Sequence, residues 1–181
     1  MIHGGRSLSS LKKLSTAESR ILESIQDVAF DVPGVLPTAR GLSHMGEHAL
    51  GWMGLSALGW SVDKKRRRQW VAVGASAFTA HAASVIIKRI VRRKRPDYSY
   101  VRVGVATPSK LSFPSSHSTS TTAFLVALSR LYGTPAPLAG VPVMMLSRMV
   151  LGVHYPTDTA FGAALGAATA EAIVRYERKT A

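Results

Sequence analysis

The chain has 181 residues, a length that fits one domain. Lys and Arg number 23 against 10 Asp and Glu, a net charge of +13, yet 46% of the residues are hydrophobic and the mean hydropathy is +0.12. There is no Cys, which excludes a disulfide scaffold, a Cys-ligated zinc site and a Cys nucleophile. Apolarity with basic flanks fits a small integral membrane protein better than a disordered basic tail or a basic soluble domain. Basicity alone also admits a nucleic-acid binder, but no DNA-reading motif accompanies it, and no nucleic-acid partner is expected.

Residues 1–14 are short, basic and Ser-rich, with no apolar core of a signal peptide, and are expected to be flexible. Ser15-Thr16-Ala17-Glu18 has the pattern of a capping box opening a helix. Ile21, Ile25, Val28 and Val32 then recur at helical spacing, and Pro33 stops the pattern. This predicts an amphipathic helix over 15–32, too charged to span a bilayer. It either lies in the interface or packs against the spans. Five spanning segments follow over 42–174: Leu42–Trp60, Trp70–Ile87, His117–Tyr132, Leu138–Leu151 and Thr159–Val174. Several are shorter or more polar than the ~20 apolar residues of a lipid-exposed span. That predicts an all-α membrane bundle with polar inner faces, its helices brought close by small residues such as Gly162, Ala163, Gly166 and Ala167. Pro135-Ala136-Pro137 reads as a tight turn.

Alternation of spans brings three loop clusters to one face. They are Lys88–Pro96 with the long loop after it, Pro114–His117, and Ser147–Asp158. The Lys64–Arg68 run falls on the opposite face with Arg175, Arg178 and Lys179. Taken singly, the clusters read as a basic membrane flank, a Ser helix cap and a His near a helix start. Taken together, they suit a phosphate monoester. Lys88, Arg95 and Arg148 offer cationic donors to its oxygens, and Ser115, Ser116 and the N–H groups at a helix start add neutral ones. His117 and His154 offer a nucleophile and a proton donor, and Asp158 can fix one imidazole tautomer. Cationic side chains can stabilise a transferring phosphoryl group without a metal, so neither metal nor cofactor is expected.

These residues resemble the three-part signature of the type 2 phosphatidic acid phosphatase family of membrane lipid phosphatases: Lys-x6-Arg-Pro, Pro-Ser-Gly-His and Ser-Arg-x5-His-x3-Asp. Here they are Lys88…Arg95-Pro96, Pro114-Ser115-Ser116-His117 and Ser147-Arg148…His154…Asp158, with every spacing matched and Ser116 in place of the usual Gly. The resemblance implies that His154 takes the phosphoryl group as a phosphohistidine and that Asp158 orients it. It implies that His117 protonates the leaving oxygen and then activates water, and that Lys88, Arg95, Ser115, Ser116 and Arg148 cradle the phosphate. The family has six core helices, whereas this sequence shows five spans and the amphipathic helix. Within the family, the small size, short N-terminal segment and basic loop are similar to the decaprenyl-phosphoryl-phosphoribose phosphatases of arabinan precursor synthesis in actinobacterial cell walls. Competing substrates are undecaprenyl diphosphate, phosphatidylglycerol phosphate and phosphatidic acid. A catalytically silent lipid binder of the same fold is the non-enzyme alternative.

Arg89, Arg92, Arg93 and Lys94 are surplus cations, suited to a second phosphate or to anionic lipid heads of the bilayer. His44, Glu47 and His48 near the start of the first span, together with Arg92, are candidate headgroup contacts. The expected location is the bacterial plasma membrane. The Lys64–Arg68 run places the catalytic face outside by the positive-inside rule, while the Lys88 loop and the basic N-terminus pull the other way.

Overall fold

The computed structural model describes residues 4–180. Among them run α1 (Gly4–Ala29), α2 (Val35–Gly46), α3 (Leu50–Val62), α4 (Arg67–Val91), α5 (Ser116–Tyr132), α6 (Gly140–Val150) and α7 (Pro156–Lys179). Extended pairing among the described residues is limited to an isolated antiparallel bridge between Lys94 and Leu111. The fold is therefore all-α, as the sequence predicts.

The first helix departs from expectation in two ways. It begins at Gly4, so residues 4–14 are helical rather than flexible; residues 1–3 lie outside the described residues. Ser15 and Glu18 sit inside it and accept hydrogen bonds from Arg93, so they do not form a capping box. The face it buries is also not the apolar one. Glu18, Ser19, Leu22 and Gln26 are buried, whereas Ile21 and Val28 are 49% and 78% exposed. The reason is hydrogen bonding. The Gln26 side chain donates to the Arg102 carbonyl at 2.7 Å and the Val150 carbonyl at 2.9 Å, and accepts from the Arg102 N–H at 2.8 Å. Each polar atom of the Gln26 side chain thus has a partner, and Ile21, Val28 and Val32 of the predicted stripe face outward while Ile25 packs beside Leu22.

The first expected span is two helices. α2 and α3 are separated by a single 3-10 turn, Glu47–Ala49, in which His48 (φ 50°) and Ala49 (φ 60°) are both left-handed. Such conformations cost non-Gly residues roughly 1–3 kcal/mol each, and the surrounding packing must hold them. Ala49 is fully buried beside Trp52, whose ring stacks on Phe124 at 4.9 Å. The expected tight turn at Pro135–Pro137 is a 3-10 segment, Ala136–Ala139, leading into α6.

α5, α4 and α7 form the centre of the bundle. α7 packs onto α5 through glycine: a Cβ at Gly166 would lie 2.2 Å from the Thr119 carbonyl oxygen, and one at Gly162 2.8 Å from that of Ser115. The expected close approach through small residues is therefore present. The interior is hydroxyl-rich, with Ser76, Ser84 and the run Ser118–Thr122 buried. Ser76 donates to the Ala72 carbonyl at 2.7 Å, returning its polarity to its own helix. Outside, Val71, Phe78 and Ile86 on α4 are each about 60% exposed. Buried hydroxyls beside an apolar core centred on Trp52, Trp70 and Phe124, with large apolar side chains also facing out, suit a bundle solvated by lipid. One helical segment, Lys64–Val91, is by itself long and apolar enough to cross a membrane, and Ala136–Val150 is a shorter apolar one.

The two ends of the bundle differ as alternation predicts. At one end Arg68 pairs with Glu177 at 3.2 Å and donates to Thr180 at 2.6 Å. The three motif clusters meet at the other.

Candidate active site

Backbone hydrogen bonds assemble this end. The Arg95 N–H donates to the Lys110 carbonyl and the Ser112 N–H to that of Arg93, folding the long loop back beside the first motif. The Ser115 N–H donates to the Asp158 carbonyl at 3.0 Å and ties the second motif to the third. Between α6 and α7, Gly152 adopts φ +67°. A Cβ there would lie 2.1 Å from the Arg102 carbonyl oxygen, so only glycine fits this turn, two residues before His154.

The result is a cavity of about 330 Å³ whose lining includes Lys88, Arg95, Ser116, His117, Arg148 and His154. Arg148 is only 1% exposed, and its Nε and Nη1 have no hydrogen-bond partner. A buried guanidinium with two unspent donors is a strong demand for an anion. Arg95 donates from Nε to the Ser109 carbonyl at 2.8 Å and from Nη1 to the Val153 carbonyl at 2.6 Å. The same Nη1 lies 3.1 Å from His154 Nε2. Burial pushes Arg95 down to about 10, so it stays charged at neutral pH and can only donate. Nε2 of His154 therefore carries a lone pair, and its proton sits on Nδ1, 3.6 Å from Asp158 Oδ2. Complete burial, then the charges of Arg95, Arg148 and Lys88, hold His154 well below the ordinary histidine value. It is a neutral nucleophile beside its cations. His117 is fixed differently: its Nε2 donates to the Ser43 carbonyl at 2.9 Å, which leaves Nδ1 for proton exchange. Lys88 donates from Nζ to the Leu111 carbonyl at 3.2 Å, and the ammonium is thereby aimed into the cavity.

Other expectations need correction. Ser115 is fully buried at the start of α5, where its Oγ accepts the Ser118 N–H; it caps the helix and does not line the cavity, whereas Ser116 does. Arg92 ends α4 in a left-handed conformation and is exposed outside the cavity lining. Arg93 is not a surplus cation. It donates to Asp158 Oδ1 at 2.9 Å and to Glu18 Oε2 at 2.6 Å, and lies 3.9 Å from the Tyr155 ring centre. Glu18 in turn accepts the N–H and hydroxyl of Thr157 at 2.8 and 2.7 Å. The first helix thus buttresses the carboxylate behind the nucleophile. No local pattern marks this pair, because 75 residues separate Glu18 from Arg93. His44, Glu47 and His48 do line the cavity, and His81 joins them from α4. Among the described residues no three or more His, Asp or Glu side chains converge as a metal-binding group.

A cationic cleft with a histidine on each side, at one end of an apolar-surfaced helical bundle, defines a phosphoryl-handling membrane enzyme. Comparison with known proteins gives the family. The PAP2 superfamily profile matches residues 69–180, and the chain belongs to that superfamily of phosphatases. It is 54% identical over 157 residues to a decaprenylphosphoryl-5-phosphoribose phosphatase of Mycobacterium tuberculosis, covering 87% of this chain and 88% of that one. A protein of the same description from Mycolicibacterium smegmatis is 55% identical over 145 residues, covering 80% and 81%. A transmembrane PAP2-type phosphatidylglycerolphosphate phosphatase from Bacillus subtilis superposes with a TM-score of 0.68 at 22% identity, over 90% of this chain and 87% of that one. The fold is thus that of the transmembrane PAP2 enzymes.

Proposed function

We propose that this protein is a metal-independent phosphatase of the bacterial plasma membrane that removes the 5-phosphate from decaprenylphosphoryl-5-phosphoribose, a step in making cell-wall arabinan precursors. The observation that carries the chemistry is the unprotonated Nε2 of His154, held by the Arg95 guanidinium at 3.1 Å, with the unpaired Arg148 guanidinium in the same cavity. The identity to the mycobacterial enzymes supports the substrate.

His154 Nε2 attacks phosphorus, and the bond to the ribose oxygen breaks. His117, protonated as the dianionic monoester binds and with its Nε2–H held by the Ser43 carbonyl, gives that oxygen its Nδ1 proton, and the lipid-linked ribose departs. Lys88, Arg95 and Arg148 balance the charge on the transferring oxygens. Imidazole becomes cationic as the phosphohistidine forms, so the 3.6 Å separation of Nδ1 from Asp158 shortens into a charge-assisted bond. His117 then takes a proton from water, the hydroxide attacks phosphorus, and the N–P bond breaks to release phosphate.

The test is phosphate release by purified protein in detergent. Decaprenylphosphoryl-5-phosphoribose, undecaprenyl diphosphate, phosphatidylglycerol phosphate and phosphatidic acid are offered side by side, with His154→Ala as the blank. Preference for the phosphoribose lipid, insensitive to EDTA, is expected. Inhibition by EDTA that added metal reverses would overturn the metal-free mechanism. Preference for a glycerolipid would overturn the substrate.

A further inference from the structure

The cavity continues past the phosphate cradle. Along α4, His81, Val85 and Lys88 follow one another at helical spacing and all line it, so that wall runs roughly 10 Å along the helix backbone between positions 88 and 81. Facing His81 is His48, with ring centres 6.0 Å apart. His48 reaches this place because the turn between α2 and α3 holds it at φ 50°. A continuous helix through Glu47–Ala49 would direct the imidazole elsewhere. His81 Nδ1 is buried and has no hydrogen-bond partner, so this wall carries a polar atom that the fold itself leaves unused. Left-handed backbone beside an unspent buried donor or acceptor is the signature of a ligand site.

We infer that the His48–His81 end of the cavity binds the second phosphoryl group of the substrate, a phosphodiester monoanion one sugar ring away from the scissile monoester. This rests on the substrate reading above and extends it to specificity. The two ends of the cavity differ in chemistry. Lys88, Arg95 and Arg148 form a fixed trication suited to a dianionic monoester. Two imidazoles offer fewer donors than three fixed cations, which suits a singly charged diester better than a dianion. The gradient sets the register: the monoester goes to His154, and the diester is kept away from it. Glu47 lies on the same cavity wall. A carboxylate repels phosphate and accepts hydroxyls, which places the sugar ring between the two phosphoryl groups.

The experiment compares two synthetic substrates carrying the same short prenyl chain. One is the prenylphosphoryl 5-phosphoribose. The other is the prenyl 5-phosphoriboside, in which an ether link replaces the phosphodiester. The wild-type protein should favour the diester-containing lipid by about tenfold or more in kcat/KM, the value of a hydrogen bond to a charged group. His81→Asn and His48→Asn should each erase most of that preference, through KM for the first substrate, and change turnover of the second far less. Asn tolerates the left-handed backbone at position 48. Activity on the ether substrate certifies that each variant is folded. Equal losses on both substrates would overturn the inference, as would a wild-type enzyme that turns both over equally well. A wild-type enzyme active only on glycerolipid phosphates would overturn the substrate reading and this inference together.

Discussion

The behaviour of His154 follows from what surrounds each ring nitrogen. Arg95 faces Nε2 and Asp158 faces Nδ1, so tautomer and nucleophilic atom are fixed together. Since burial and three neighbouring cations depress its protonation, the ring stays neutral below the pH at which an ordinary histidine charges. Protonation destroys the nucleophile, so the acid limb of kcat/KM, which reports the free enzyme, should fall well below pH 6.5. A profile of kcat/KM against pH in detergent checks this, and a limb at the ordinary histidine value would contradict it. The Asp158 carboxylate has its own supports. Oδ2 accepts the Tyr155 N–H at 2.9 Å and Oδ1 accepts from Arg93, whose charge is shared with Glu18. Glu18→Gln removes the shared charge and, because both Glu18 oxygens accept hydrogen bonds, turns its amide NH2 toward Arg93 or Thr157. Arg93 then belongs wholly to Asp158, which becomes a poorer acceptor for the imidazolium. The expected result is a fall in kcat of about tenfold with KM nearly unchanged, the mark of an interaction that strengthens in the transition state. A matched loss of folded protein with normal kcat per folded molecule would assign Glu18 to stability alone.

Elements here are positioned by a few backbone constraints more than by apolar contact. Gly152 is the sharpest, because the turn between α6 and α7 needs both its left-handed φ and its missing Cβ. Gly152→Ala should destabilise the protein by about 2 kcal/mol or more, read as a lowered thermal midpoint in detergent, and should displace His154 enough to cost activity. Much of this region was legible in the sequence. Phosphate chemistry demands particular residue types at fixed separations, and Lys88, Arg95, His117, Arg148 and His154 line one cavity as those spacings imply. What was not legible has physical causes. The break at His48–Ala49 is flanked by Gly46 and Gly51, but the two left-handed residues are not themselves glycines, and glycine is too common in these helices to announce a break; tertiary packing imposes it. The start of α1 was misplaced because Ser15 and Glu18 fit a local capping box, while their actual partner is Arg93. Its buried face was misread because the long-range hydrogen bonds of Glu18, Ser19 and Gln26, to Thr157, Tyr100 and the Arg102 and Val150 carbonyls, decide which side packs. Leu22 is covered, yet Ile21 and Val28 face outward while Gln26 is enclosed.

At the scale of the whole molecule, the chemistry and the packing share the same two helices. α5 carries His117 in its first turn, and α7 carries Asp158 in its first turn. Their separation is set further along by Gly166 against the Thr119 carbonyl. At that contact the helices are as close as backbones without a side chain between them allow, and a single methyl at 2.2 Å from the oxygen cannot be accommodated by a rotamer change. One of the helices must move. Because the Ser115 N–H to Asp158 carbonyl bond joins the two N-termini, the displacement is transmitted to the active end. Gly166→Ala should therefore lower both the thermal midpoint and kcat, even though residue 166 lines no part of the cavity. The opposite end supplies the control. Arg175 pairs with Glu171 towards the end remote from the motifs, its side chain is 76% exposed and Glu171 keeps Arg130 as a partner, so Arg175→Ala should cost little stability and leave kcat unchanged. Unfolding midpoints and kcat measured on the two variants side by side separate the possibilities. If Gly166→Ala loses stability but keeps full turnover per folded molecule, the spacing of α5 and α7 matters to the fold and not to the chemistry. If both variants lose turnover equally, catalysis depends on general stability and not on this one contact.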